Sequence, residues 1–262
     1  MSDNRKKLLK LAIILVFIGL ALFLSAMIII KFDFNRLSTI KFETTTHTIK
    51  EEINNIEIDV DSANVTFVPS KDGICKVICE EPERMKHEVE EKNGTLKIKC
   101  VNKRKWYDYI GIGFGNYSVT VYLPEATYKN LEIETSIGDI EVPEYFTFED
   151  VDIEASTAKI TWNAAVNNSI KISTSTGDIT LKDVIAGDGI TIDTSTGDVE
   201  FDGSDANWLS ISTSTGEVSG TLLSDKIFEA DTSTGDVELP KTTTGGSCKI
   251  KTNTGDIEIN IR

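Results

Sequence analysis

The sequence is short of the residue types on which most enzyme active sites depend. Its 262 residues include two histidines and four cysteines, which leaves little material for a metal site or for a nucleophile paired with a base. Basic residues are also scarce, because 27 Lys and Arg stand against 42 Asp and Glu, for a formal net charge of −15. A surface this acidic repels phosphate backbones, so we expect no nucleic-acid partner. We also expect no cofactor and no catalytic activity.

Long apolar runs are equally rare, and the single one lies near the N-terminus. Leu11 to Ile30 is a stretch of twenty residues without a charge, which is long enough to cross a hydrocarbon core of about 30 Å. Four basic residues precede it: Arg5, Lys6, Lys7 and Lys10. This bias predicts a single-pass anchor in the cell membrane, with the N-terminus in the cytoplasm and the remainder outside it. A cleaved signal peptide is the alternative, although the apolar run continues beyond the poor cleavage site at Leu24-Ser25-Ala26.

The strongest pattern in the chain is a repeat of 19 or 20 residues, whose consensus is apolar-x-apolar-x-Thr-Ser-Thr-Gly-Asp-apolar. Seven copies begin at Leu131, Val151, Ile170, Ile190, Leu209, Phe228 and Cys248. A fainter copy begins at Ile56. A period of this length in tight register indicates a solenoid or an array, and the four strands of a propeller blade do not fit into it.

Each repeat has the local chemistry of a strand, a bend and a second strand. In one copy, Ile170 and Ile172 alternate with polar residues, as in a half-buried strand. Gly177 then marks a bend, where a positive φ costs little. The apolar parity switches across that bend to Ile179 and Leu181, so that a corner at the glycine keeps both strands facing one core.

These features predict an all-β fold: a parallel β-solenoid, or single-chain β-helix, of 19–20-residue coils that follows one N-terminal transmembrane helix. Equivalent residues should then stack in one column, in chain order: Ile172, Ile192, Ile211, Ala230 and Ile250. Apolar residues in the connectors should close a third side. A meander of antiparallel hairpins is the alternative, but it accounts less well for connectors that vary so much in sequence. The predicted segments are a cytoplasmic tail (1–10), the transmembrane helix (11–30), a linker (31–44), an N-terminal β cap with a first coil (45–130) and the solenoid repeats (131–262).

An aromatic and basic segment within the cap has two interpretations. Lys103, Arg104 and Lys105 precede a stretch rich in rings and glycines, which lacks the flanking strand and helix of a dinucleotide-binding loop. The aromatic residues could cover the end of the solenoid core. They could instead form a contact patch for a membrane or a glycan, with these members: Trp106, Tyr107, Tyr109 and Phe114.

Taken together, these motifs resemble the DUF4097 family of bacterial β-strand-repeat proteins, which are predicted adhesins. The resemblance covers residues 45–262. It is carried by the strand pair of Ile56–Phe67, by the Gly94–Lys99 strand before the aromatic stretch, by Val119–Pro124 and above all by the repeated Thr-Ser-Thr-Gly-Asp. It implies a β-solenoid displayed outside the membrane, often in Gram-positive bacteria and sometimes associated with envelope stress. The family pattern supplies no catalytic residues. One repeat departs from it, since Ala158-Lys159 replaces Gly-Asp.

The resulting functional hypothesis is a non-catalytic interaction or scaffold module of the cell envelope, whose partner is an unidentified envelope protein or glycan. A second hypothesis is divalent-cation binding at the corners, where we name four candidate ligands: Asp178, Asp198, Asp236 and Asp256. A carboxylate repeated in every coil is better explained by the fold, because an Asp can accept a backbone N–H at its own bend. For the same reason a polysaccharide-active β-helix enzyme is the least favoured hypothesis. A disulfide between Cys79 and Cys100 is chemically allowed outside the cytoplasm, and buried free thiols are the alternative.

Overall fold

The computed structural model describes residues 3–29, 31–32, 40–106 and 115–262. These residues divide into two compact units, one with the N-terminal helix and the segment at residues 104–106, the other with residues 42–103 and 116–262. The helix, α1 (Asp3–Ile29), contains a 21-residue stretch, Leu9–Ile29, with a mean hydropathy of 3.0. It is therefore long and apolar enough to cross a membrane, a property that a signal sequence shares.

The second unit consists of β-strands. In chain order they are β1 (Phe42–Ile49), β2 (Asn55–Ser62), β3 (Asn64–Pro69), β4 (Cys75–Pro82), β5 (Met85–Lys92), β6 (Thr95–Asn102), β7 (Ser118–Leu123), β8 (Thr127–Ile137), β9 (Ile140–Val142), β10 (Thr147–Thr157), β11 (Ile160–Trp162), β12 (Ala165–Val166), β13 (Ile170–Thr176), β14 (Ile179–Lys182), β15 (Ile185–Thr196), β16 (Val199–Thr215), β17 (Val218–Leu222), β18 (Lys226–Thr234), β19 (Val237–Glu238), β20 (Gly246–Thr254) and β21 (Ile257–Ile261). The strand that begins the unit starts at Phe42, three residues before the predicted start of the cap.

The strands form two ladders that share β16. Ladder 1 contains the strands before each corner glycine, in the order β5–β6–β2–β8–β10–β13–β15–β16–β20–β18. Ladder 2 contains the strands after the corner, in the order β1–β4–β7–β3–β9–β11–β14–β16–β17–β21–β19. Pairing is antiparallel at one end, in β5–β6, β1–β4 and β4–β7, and parallel elsewhere. The repeats are therefore not an antiparallel meander.

Equivalent positions of neighbouring repeats lie side by side, as their spacing predicts. Ile153 pairs with Ile172, and Ile172 pairs with Ile192. Across the corner, Ile179 pairs with Val199. These side chains are completely buried, and the apolar residues of both ladders form one core. Burying each of them stabilises the fold by about 1.5–3 kcal/mol relative to exposure.

The order of the last two repeats differs from the predicted column. Ile211 pairs with Ile250, and Ala230 pairs with the far side of Ile250. The final repeat in the sequence is thus inserted between its two predecessors, and the repeat of β18 and β19 occupies the edge. A buried ion pair crosses the inserted repeat, because Lys226 Nζ lies 2.5 Å from Asp205 Oδ1. Gly246 pairs with Lys226 there, and a side chain at Gly246 would collide with the carbonyl of Asn207.

The connectors pair with one another. β12 pairs with the first residues of β10 and β15, and Ile185 pairs with Asp205, so equivalent connector residues lie side by side. Val184 and Leu222 are buried in the common core, whereas three others are exposed: Ile185, Trp208 and Leu223. That the connectors close a third side of the core stays a prediction.

Candidate functional site

The corner between the ladders requires glycine for two reasons. Gly197 has a φ of 147°, which residues with a Cβ rarely adopt. A Cβ at Gly197 would also lie 2.1 Å from the carbonyl oxygen of Gly177 in the neighbouring repeat. The exceptional repeat keeps the same backbone hydrogen bond with alanine, since Ala158 N–H donates to Thr176 O at 2.9 Å. Ala158 is not among the described residues with positive φ.

The corner carboxylates are exposed and form hydrogen bonds between repeats. Asp178 Oδ1 accepts the N–H of Asp198 at 3.0 Å, and Asp198 Oδ1 accepts the N–H of Glu217 at 2.8 Å. At the edge, Asp256 Oδ1 accepts the N–H of Asp236 at 2.8 Å. Each of these carboxylates therefore accepts a backbone N–H from the neighbouring corner, whereas the sequence suggested an N–H from its own bend.

The inserted repeat also sets the order of the four candidate metal ligands. Because β21 lies between β17 and β19, Asp256 lies between Glu217 and Asp236, while Asp178 neighbours Asp198. Adjacent carboxylates about 5 Å apart repel by about 0.8 kcal/mol in water. The N–H donors oppose this repulsion without a cation. Cation binding at the corners stays a hypothesis.

A shallow cleft crosses the exposed surface of ladder 1. It consists of two adjoining parts of 360 and 430 Å³ that share Glu154 and Ala155. Carboxylates line it at Asp59, Asp61, Glu134, Glu154 and Asp193, and hydroxyl groups at Ser136, Ser156, Ser173, Ser175 and Ser195. These residues come from five successive strands, from β2 to β15. Cys100 and Asn102 extend the lining to β6, so the cleft crosses six strands and extends for about 24 Å at the usual strand spacing. We call it the ladder-1 cleft.

Two lysines partly neutralise the ladder-1 cleft. Lys99 Nζ lies 2.9 Å from Asp59 Oδ2, and this carboxylate raises the pKa of Lys99. Lys171 Nζ lies 3.1 Å from Asp152 Oδ2 and 3.3 Å from Glu154 Oε1. Both carboxylates raise the pKa of Lys171, with Asp152 the larger cause. The cleft therefore offers many hydrogen-bond acceptors, with two cations paired to its carboxylates.

The aromatic contact patch is only partly described. Trp106 is 76% exposed, whereas the other three predicted members, Tyr107, Tyr109 and Phe114, lie outside the described residues. The segment leaves the strands at Lys103, whose N–H donates to Arg84 O at 3.0 Å. It rejoins them near Tyr117, whose ring lies 5.1 Å from that of Phe42, edge to face.

None of the four cysteines, all of which lie among the described residues, forms a disulfide bond. Cys75 and Cys79 are buried on the inner face of β4, and Cys248 is buried in β20 at a position where the other repeats have Ile, Leu, Val or Phe. Burial raises the pKa of each of these three thiols to about 12. They are therefore protonated at neutral pH and poor nucleophiles.

Sequence reasoning missed the buried polar groups at the antiparallel end. Glu81 and His87 are 1% and 3% exposed, and the sequence pattern assigns a role to neither. The shared parity of Cys79 and Glu81 on one strand was the available signal. His87 contacts Glu81 because β4 joins ladder 2 while β5 joins ladder 1. Local sequence patterns do not predict which ladder a strand joins.

The fold and these surfaces define an all-β repeat protein with an apolar N-terminal helix and corners that recur in each repeat. The family model of Toastrack DUF4097 matches residues 53–262. The chain therefore belongs to the DUF4097 (Toastrack) family. No curated protein matched the chain.

Solved structures with a related arrangement carry adhesin or lipid-binding descriptions. A “putative adhesin” from Bacteroides fragilis has 18% identity and a TM-score of 0.49, covering 84% of this chain and 97% of its own. A second “putative adhesin”, from Parabacteroides distasonis, has 14% identity and a TM-score of 0.45 over 84% and 97%. A “putative lipid binding protein” from the same organism has 15% identity and a TM-score of 0.37 over 83% and 97%. At this similarity, the descriptions say nothing about the ligand of this chain.

Proposed function

We propose that this chain is a membrane-anchored β-solenoid outside the cytoplasm, which acts as a non-catalytic interaction module of the cell envelope. The parallel, in-register pairing of successive repeats supports the solenoid, because each repeat buries its apolar face against its neighbours. The length and hydropathy of α1 support the anchor. The basic residues in the first turns of α1 favour a cytoplasmic N-terminus.

The observation that carries the interaction role is the ladder-1 cleft. Its carboxylates and hydroxyls recur at the strand spacing over five strands, which matches an extended ligand better than a compact substrate. Carboxylates accept hydrogen bonds from hydroxyl and amine groups, and both groups are abundant in envelope glycans. We therefore favour a neutral or amine-bearing glycan over a protein as the ligand of this cleft.

The distribution of the acidic groups supports the proposed non-catalytic role. Hydrolysis of a glycosidic bond needs one local pair of carboxyl groups with different environments. Here the corner carboxylates recur from repeat to repeat and accept backbone N–H groups. This regular arrangement supports a structural or binding use.

Site-specific crosslinking in intact cells tests this function. A photo-crosslinking amino acid at Ser156, which is exposed and lines the cleft, should give an adduct that a cell-wall hydrolase removes. The same amino acid at Glu200, which is exposed on ladder 2, is the matched control. No adduct at Ser156, or equal adducts at both positions, would contradict a cleft-specific ligand. An adduct removed only by a protease would assign the cleft to a protein.

The same cells test the orientation. External protease applied to protoplasts should digest residues 45–262, and a reporter fused after Arg262 should be active only outside the cytoplasm. Protection of the strand unit from the protease would reverse the proposed orientation. Release of the strand unit into the medium would indicate a cleaved signal peptide instead of an anchor.

A further inference from the structure

A buried cluster of three different metal-ligating side chains lies at the antiparallel end of the ladders. Cys79 and Glu81 are on β4 in ladder 2, and His87 is on β5 in ladder 1. Their exposed fractions are 0%, 1% and 3%. One sulfur, oxygen or nitrogen atom from each side chain lies within 4.8 Å of the other two. Among the described residues, this is the one group of at least three such side chains close enough together to hold a metal ion.

Hydrogen bonds fix the orientation of Glu81 and His87. Glu81 Oε2 lies 2.8 Å from His87 Nδ1 and accepts the backbone N–H of His87 at 2.6 Å. Glu81 Oε1 accepts the hydroxyl of Thr45 at 2.9 Å. Because an ionised carboxylate only accepts hydrogen bonds, these contacts assign the proton of a neutral His87 ring to Nδ1.

The ring nitrogen of His87 that faces Glu81 is the one that an ion bound by both side chains can use. His87 Nε2 lies on the far side of the ring from Glu81, where it is buried and has no hydrogen-bond partner. An ion between Glu81 and Nδ1 therefore takes the place of the proton on Nδ1, and that proton moves to Nε2.

We propose that Cys79, Glu81 and His87 form a binding site for a single Zn²⁺ ion. A thiolate and an imidazole select borderline-soft transition ions over Ca²⁺ or Mg²⁺. Tetrahedral Zn²⁺ with bonds of about 2.0–2.3 Å places its ligand atoms about 3.3–3.5 Å apart. Side-chain rotations therefore suffice to close the present separations. Binding replaces the thiol proton of Cys79 with the metal and releases that proton to solvent, and a water molecule completes the four ligands.

One nearby cation opposes metal binding. Lys86 Nζ lies 3.6 Å from Glu81 Oε1, but it also pairs with Glu43 Oε2 at 2.6 Å. Lys86 is partly exposed, so it can keep Glu43 as its partner when the metal takes Glu81. The bound ion would then connect β4 of ladder 2 to β5 of ladder 1 at the end where the pairing is antiparallel.

Metal titration of the full-length protein in detergent tests the proposal. After removal of metals with a chelator and dialysis against Zn²⁺, we expect one equivalent of zinc per chain and a rise in Tm of several degrees. Co²⁺ used as a probe should give a thiolate-to-cobalt charge-transfer band, which excess Zn²⁺ abolishes. Millimolar Ca²⁺ should displace neither ion. Less than a tenth of an equivalent of zinc, or cobalt binding without the thiolate band, would overturn the site.

Two variants and a control locate the binding. Cys79→Ser and His87→Gln should each lower zinc affinity at least tenfold and abolish the metal-dependent rise in Tm. Cys248→Ser removes a buried free thiol from another repeat and should leave both unchanged. Zinc binding that all three variants retain would assign the ion to the exposed carboxylates and contradict the proposal. The cobalt band of the unmodified protein remains decisive if a variant does not fold.

Discussion

The two ends of the ladders are built in opposite ways. At the antiparallel end, inward-facing residues such as Val77 and Met85 are fully buried. At the other end, the repeat of β18 and β19 leaves the equivalent positions partly open, since Phe228 is half-buried and Val237 is 45% exposed. A stack of identical repeats has no intrinsic end, so each end needs its own way of protecting the core and the edge strand.

The exposed end limits further strand pairing by means that natural edge strands use. β19 is two residues long, and Pro240 follows two residues after its end. Glu229 and Asp231 are exposed along β18. Short strands, proline and charge all disfavour edge-to-edge association. Antiparallel strands thus cover one end, whereas the other end stays open and only disfavours pairing with a further strand.

Removing the final repeat should have the largest effect on this comparison. Among the described residues, β18 pairs only with β20, and β19 only with β21. Deletion of residues 240–262 removes β20 and β21 and should therefore also release the repeat of β18 and β19, so that amide protection of residues 226–238 falls to that of an unfolded peptide. Hydrogen exchange with mass spectrometry measures this, with a full-length chain carrying an unrelated C-terminal tag as control. Unchanged protection would show that the β18 repeat can pair directly with β16.

A charge in the centre should be far more costly than the same charge at the exposed edge. Ile192 is completely buried, so Ile192→Asp should destabilise the strand unit by about 4 kcal/mol. Ala230 occupies the equivalent position at the edge and is half-buried, so Ala230→Asp should cost less than about 1 kcal/mol. Urea denaturation compares the two. Equal losses would mean that the edge repeat is covered in solution.

The smallest effect is expected at a corner. Asp198→Asn retains an acceptor for the N–H of Glu217 and removes charge repulsion, so stability should change by only a few tenths of a kcal/mol. Thermal melts in EDTA, in millimolar Ca²⁺ and in NaCl of equal ionic strength test this. If Ca²⁺ bridges the corners, the wild type should gain about 2.7 kcal/mol at a hundredfold excess over Kd, and Asp198→Asn should lose that gain.

The sequence predicts the parts of this fold that depend on local periodicity. Alternation at Ile170 and Ile172, with the parity switch after Gly177, correctly indicates two inward-facing strands and a corner in each repeat. The order of the last two repeats is not predictable in this way, because both carry the same motif at the same spacing and either can stack on β16. The Glu81–His87 contact is likewise non-local, since it joins strands of different ladders.

Because the final repeat is inserted between its two predecessors, the repeats cannot all stack in the order in which they are synthesised. A chain that emerges from its N-terminus can add each repeat to the previous one as far as β17. The strands β18 and β19 then have to wait, because their pairing partners β20 and β21 follow them in the chain. The edge of the stack therefore forms only after β20 and β21 have been synthesised. A chain that stopped before β20 would keep β16 and β17 as unpaired edges.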